Sequence, residues 1–185
     1  NEISIICDDL DIDAKELINL ANMHPRVNIL DPGCGVGGHC ISVDPLFIVS
    51  SFPEKTQLIQ SARWVNENKK NWCIELIKAK VNIFKLNKGY DPVIGCCGLA
   101  YKPNIDDLRE SPAEQITLNL INQGFHILAC EPNLNSHKII NLINFNELIL
   151  KSDIVVFLVA HNEFFNCNLD NKNIVDLCGI SESIT

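Results

Sequence analysis

One cysteine of this chain stands where a reactive thiol can be made. Cys40 closes the run Gly33-Cys34-Gly35-Val36-Gly37-Gly38-His39-Cys40. Glycines let backbone N–H groups approach a ligand closely, and a thiol near such donors or at a helix start gives thiolate at neutral pH. Asp44 follows four residues on, a spacing that puts both side chains on one face of a helix. Two plainer readings stand beside this one: Cys40 as a buried inert thiol, and Asp44-Pro45 as a helix cap with a first-turn proline. Cys34, His39 and Cys40 fit no familiar zinc-ligand spacing and have no evident fourth ligand, so no metal site is expected. The pattern Gly33-x-Gly35-x-x-Gly38 is not read as a dinucleotide fingerprint, because Asp31-Pro32 breaks any preceding strand and no acidic strand end follows about 20 residues later. Further on, Lys102 and Arg109 flank Asp106-Asp107 just after a strand-like run. Cations at the carboxyl end of a parallel strand can hold phosphates; the alternative is a solvated, self-paired charge cluster.

These residues need elements to place them. The opening Asn1 to Cys7 reads as the tail of something already under way. Asp13 with Glu16 looks like a capping box for a short helix through Asn22, ended by His24-Pro25. Residues 27–40 are glycine-rich and irregular. From Glu54 to Asn87 there is neither Gly nor Pro, and Leu58, Ala62, Val65, Trp72, Leu76, Val81 and Phe84 recur at roughly helical spacing. That predicts one long helix of about 30 residues, or two in line. Val93 to Leu99, Phe125 to Cys130, Ile154 to Ala160 and Ile174 to Leu177 read as strands. Between the first two, Ser111-Pro112-Ala113-Glu114 gives a capped helix start and Gly124 a stop. The alternation predicts an α/β fold with a parallel sheet covered on both faces.

Composition bounds the function. Fifteen Lys and Arg against 23 Asp and Glu give a formal charge of −8, which favours neither a nucleic-acid backbone nor an anionic membrane. The longest apolar stretch, Ile154 to Ala160, is far short of the ~20 residues of a membrane span. Nine cysteines with no Cys-x-x-Cys pair suit a reduced, cytoplasmic protein better than a disulfide scaffold.

Three blocks carry a resemblance. His24-Pro25-Arg26-Val27-Asn28-Ile29-Leu30, Gly35-Val36-Gly37-Gly38-His39-Cys40-Ile41-x-Val43-Asp44-Pro45, and Gly98-Leu99-Ala100-Tyr101-Lys102-Pro103-Asn104-Ile105-Asp106-Asp107-Leu108-Arg109-Glu110-Ser111-Pro112-Ala113 resemble the UDP-glucose/GDP-mannose dehydrogenase family, in the family's order. The Gly-Gly-His-Cys form resembles its N-acetylhexosamine branch. The resemblance implies a central helical region with one long dimer helix (residues 1–88), then a Rossmann-like UDP-binding domain (residues 89–185). It implies oxidation of a UDP-N-acetylhexosamine, UDP-N-acetylmannosamine, at its primary alcohol by two NAD through a cysteine thiohemiacetal and thioester.

Carried over by position, Cys40 matches the nucleophile and Asp44 the carboxylate that helps activate water. Residues 30–38, with Gly35, Gly37 and Gly38, match a substrate-embracing loop. Arg26 matches an arginine reaching the neighbouring subunit's active site, Lys102 a substrate-contacting lysine, and Arg109 an arginine approaching NAD. The resemblance further implies that the NAD-binding domain and a catalytic Lys and Asn lie ahead of Asn1, so that this chain alone is inactive. Cys178 stands where a basic residue commonly contacts UDP, and Cys34 where a proline is common, which implies weaker substrate binding. A non-catalytic UDP-sugar-binding or dimerisation module, or a decayed gene product, is the alternative.

Overall fold

The longest apolar stripe in the sequence becomes one straight run of helix. In the computed structural model, which describes residues 1–165, 167, 169 and 172–180, helix α4 spans Gln57–Lys88, 32 residues without a break. At 1.5 Å per residue it is about 48 Å long. Its buried residues Asn66, Lys69, Cys73, Ile77, Val81 and Phe84 fall every three or four positions, the stripe that a 3.6-residue period lays on one face. Gly89 ends it in the left-handed conformation, φ +79°, its N–H bonding Lys85 O at 2.8 Å.

Three shorter helices come before it. The first, α1 (Glu2–Asp9), lies in a stretch with no capping or periodic helix signal of its own. Helix α2 (Ala14–Asn22) is capped as its sequence predicts, with the Asp13 carboxylate accepting from Glu16 N at 2.6 Å. Helix α3 (Cys40–Ser51) corrects one expectation. Asp44-Pro45 is not a cap, because the helix already begins at Cys40 and Pro45 lies inside it. Proline's fixed φ suits a helix and only one intrahelical bond is lost so near the start.

The second half alternates strand and helix: β1 (Val93–Cys97), α5 (Pro112–Asn122), β2 (His126–Cys130), α6 (Phe145–Lys151), β3 (Ile154–Phe157) and β4 (Asn173–Asp176). All pairings are parallel, in the order β2-β1-β3-β4. β1 and β3 are shorter at their carboxyl ends than the apolar runs that predicted them: residues 98–99 and 158–160 leave the sheet, and residues 158–160 line a cavity.

Alternation along the strands sorts the core into two layers. Ile94, Cys96, Ile154, Val156 and Val175 pack with α4 and α5. Val155, Phe157, Cys97 and Cys130 pack with Leu148 of α6 and with Phe164. Both faces are therefore covered, as a parallel sheet requires. The carboxyl-terminal half of α4 belongs to the first layer, so the chain leaves α4 at residue 88 but its packing does not divide there.

Candidate functional site

A cavity of about 400 Å³ opens at the carboxyl ends of β1 and β3, where the segment 31–35 passes across the sheet. Such strand ends are where open parallel sheets bind ligands, because loops diverge there and backbone groups point out of the sheet. Residues 100–103 form one wall and residues 158–160 another, with Gly33 and Gly35 above and Cys178 and Gly179 at the far end. Two lysines line it: Lys102, and Lys15 from α2. Lys15 Nζ donates to Gly179 O at 3.2 Å. An ammonium therefore stands beside Cys178, where the sequence reading found no cation. The sequence reading missed Lys15, since its pairing with Gly179 spans 164 residues.

The glycine-rich segment is held from behind by α4. Asn66, 6% exposed, accepts Val36 N at 2.7 Å and donates to Val36 O at 3.0 Å. Gly37 is required by the chain itself: a Cβ there would come within 2.5 Å of Glu110 O and 2.7 Å of Tyr101 Cβ. Gly38, at φ +85°, donates its N–H to Arg109 O at 2.9 Å. Gly37 and Gly38 thus seat the loop on the β1–α5 connection, and of the three glycines singled out only Gly35 lines the cavity. Cys34 is buried, its Sγ donating to Leu158 O at 3.4 Å. Its hydrogen bond with the Cys73 thiol, together with burial, pushes the Cys34 thiol well up.

Cys40 has the opposite setting. It is exposed and is the first residue of α3, whose leading N–H groups have no intrahelical partners. Cys40 is therefore not buried, unlike the plainer reading of it. Asp44 lies one turn further along α3 and is also exposed, so the helical spacing of the pair is realised. Neither residue lines the cavity. The Arg109 guanidinium is bound to Asp107, with Nε at 3.0 Å and Nη2 at 2.6 Å from Oδ2. Of the cluster, Arg109 is paired with Asp107, and the pairing holds the Asp107 carboxyl below its ordinary range. Arg26 lies exposed in the segment after α2. Lys102, by contrast, is in the cavity wall.

The Gly33–Gly38 segment does not fit a dinucleotide. It is not preceded by a strand, and two of its glycines already back onto the protein. No helix is long and apolar enough to cross a membrane among the described residues.

Comparison with known proteins gives a consistent picture. Residues 1–68 match the UDP-glucose/GDP-mannose dehydrogenase family, central domain, and residues 95–182 the UDP binding domain of the same family. The chain is 47% identical to a UDP-N-acetyl-D-mannosamine dehydrogenase of Campylobacter jejuni, over 96% of this chain and 44% of that protein. It is 43% identical to an NDP-N-acetyl-D-galactosaminuronic acid dehydrogenase of Ralstonia solanacearum, over 97% of this chain and 43% of that one. The solved UDP-N-acetyl-mannosamine dehydrogenase of S. aureus superposes with a TM-score of 0.76 at 31% identity, covering 100% of this chain and 43% of that one. The chain therefore spans less than half the length of the relatives it matches.

Proposed function

Because the chain belongs to the UDP-glucose/GDP-mannose dehydrogenase family, we propose that its cavity seats the UDP moiety of a UDP-N-acetylhexosamine, UDP-N-acetylmannosamine foremost. The observation that carries this reading is the pair of lysines, Lys15 and Lys102, set in a cavity at the carboxyl edge of the sheet. Most of the cavity's lining, Lys102 included, lies in the segment matched to the family's UDP binding domain, while Lys15 and residues 31–35 lie in the segment matched to its central domain. Ammonium groups there offset a diphosphate's charge in a chain whose net charge is −8, so binding depends on these few placed cations.

In this proposal the sugar extends from the cavity along the glycine segment toward Cys40. The Cys40 thiolate adds to the carbon of a 6-aldehyde, forming an S–C bond as the carbonyl oxygen takes up a proton. After oxidation to the thioester, water attacks the acyl carbon, the S–C bond breaks and the thiol is regenerated. Asp44 holds that water and accepts its proton. Two NAD, bound elsewhere in the enzyme, supply the hydride acceptors for the alcohol and thiohemiacetal stages. Arg109 is assigned to the seam with the cofactor-bearing part and Arg26 to a neighbouring subunit's site. Exposed apolar residues on α3 and α4, among them Phe47, Leu58 and Trp64, support a homodimer built on these helices. The nine free thiols support a reducing, cytoplasmic setting.

A test of the thiol chemistry needs no cofactor. The chain is mixed with a UDP-N-acetylhexosamine analogue carrying a chloromethyl ketone at the 6-position, which a thiolate alkylates irreversibly with loss of chloride, and the modified peptide is mapped by mass spectrometry. Modification on Cys40 that disappears in Cys40→Ser supports the assignment. Equal modification of Cys40→Ser overturns it.

A further inference from the structure

Lys102 stands on an arch of backbone whose two ends are tied to one buried pair. The arch runs from residue 99 to residue 104, and residues 100–103 line the cavity. At its start, Leu99 N and Ala100 N both donate to Glu131 Oε2, at 2.7 and 2.9 Å. At its end, Asn104 N donates to His161 Nδ1 at 3.0 Å. The two anchors are bonded to each other, His161 Nε2 to Glu131 Oε2 at 3.0 Å. Glu131 is 3% exposed and His161 0%, so water competes with neither.

The donors fix the chemistry of the pair. A backbone N–H can only donate, so His161 Nδ1 is the acceptor and the ring proton sits on Nε2, directed at Glu131. Asn133 reinforces both members, its Nδ2 lying 3.0 Å from Nδ1 and its N donating to Glu131 Oε1 at 3.1 Å. Burial alone would raise the Glu131 carboxyl. The bonds from His161, Leu99, Ala100 and Asn133 outweigh it and hold the carboxyl at about 2, so the anchor is a charged acceptor at any working pH. Outside the arch, Asn104 and Asn162 exchange two bonds of 3.2 and 2.9 Å, which ties the Lys102 wall to the β3 side of the cavity.

We propose that Glu131 and His161 are positioning residues for nucleotide binding: together they bracket the arch and set the Lys102 ammonium against the diphosphate. This rests on the proposed function of the cavity. The sequence shows no hint of it, since Glu131 and His161 merely follow the strand-like runs Phe125 to Cys130 and Ile154 to Ala160. The bracket closes over 30 residues between the two members.

The roles separate chemically. In His161→Asn the side-chain oxygen falls near Nδ1, so the acceptor for Asn104 is kept. In His161→Gln the amide reaches the Nε2 position, so the donor to Glu131 is kept and the hold on Asn104 is lost. UDP is titrated calorimetrically into the wild-type chain, Lys102→Ala, both His161 variants and the double variant Lys102→Ala/His161→Gln, with thermal midpoints recorded for each. His161→Gln is expected to weaken UDP about tenfold, the worth of one or two hydrogen bonds. His161→Asn is expected to stay nearer the wild type. The double variant is expected to bind no more weakly than Lys102→Ala alone, because His161 acts through Lys102.

Wild-type affinity in His161→Gln, or losses that add in the double variant, overturn the inference while a weakened Lys102→Ala keeps the cavity assignment standing. Wild-type affinity in Lys102→Ala overturns the bracket's purpose. No UDP binding by the wild-type chain overturns the cavity assignment and the inference with it. If His161→Gln does not fold, Glu131→Asp decides the matter: it keeps the charge, withdraws the carboxylate by one methylene from Leu99 N and Ala100 N, and must weaken UDP non-additively with Lys102→Ala, whereas wild-type affinity overturns the inference.

Discussion

At the scale of single residues, the nine cysteines show how environment divides one side chain into different roles. Cys96 is sealed in the core and burial pushes its thiol up to about 12; Cys34 and Cys97 are likewise raised and buried. Only Cys40 among the nine is classed as exposed, and it alone combines access with a helix start. Glu131 shows the same principle in reverse. Its carboxyl is depressed from 4.5 to about 2, so the stability it contributes is present above pH 4.5 and is lost as pH falls toward 2. A shift of that size is worth on the order of 3 kcal/mol. Glu131→Gln should therefore be less stable than the wild type by about 2–4 kcal/mol at pH 7, with the gap closing between pH 4.5 and pH 2.5. Urea unfolding at both ends of that range measures it; a gap independent of pH would mean that the carboxylate's charge is not what stabilises.

At the scale of elements, what could be read from the sequence was what local spacing writes. The capping pairs Asp13 with Glu16 and Ser111 with Glu114 mark helix starts in three-residue windows, and the 3.6-residue stripe of α4 needs no tertiary information. Asp44-Pro45 misled because a proline near a helix start is locally the same whether it stands in the first turn or the second. What decides is that Gly37 and Gly38 deliver the chain onto Tyr101 and Arg109, so that α3 can begin at Cys40. That contact is remote in sequence, as are the Asn66 clamp on Val36 and the Glu131–His161 bracket, and none has a local signature. The residues proposed for thiol chemistry are legible as a motif; the residues that hold the cavity in shape are not. One element contact is open to direct test. A Cβ at Gly95 would overlap Leu148 and Ser152, where α6 closes on β1. Gly95→Ala should cost about 1–3 kcal/mol by overpacking, read as a lower urea midpoint at an unchanged m-value. An unaltered midpoint would show that α6 can back away freely.

At the scale of the whole molecule, α4 joins the two parts. Its amino-terminal half carries the Asn66 clamp and exposed apolar residues such as Leu58 and Trp64, 84% and 68% exposed. Its carboxyl-terminal half is core to the sheet. The same helix therefore holds the glycine segment through Asn66 and packs on the sheet through Ile77 and Val81. The exposed apolar residues argue for a partner copy, and sedimentation equilibrium should give twice the chain mass, with Leu58→Glu/Trp64→Glu shifting the chain to the monomer; a wild-type monomer at tens of micromolar would refute the dimer. The cavity itself carries the central claim, and calorimetric titration of UDP tests it most directly. One UDP per chain, with affinity reduced about tenfold or more in Lys102→Ala and in Lys15→Ala, is the predicted result. No heat of binding with UDP, or binding that neither lysine affects, would contradict it.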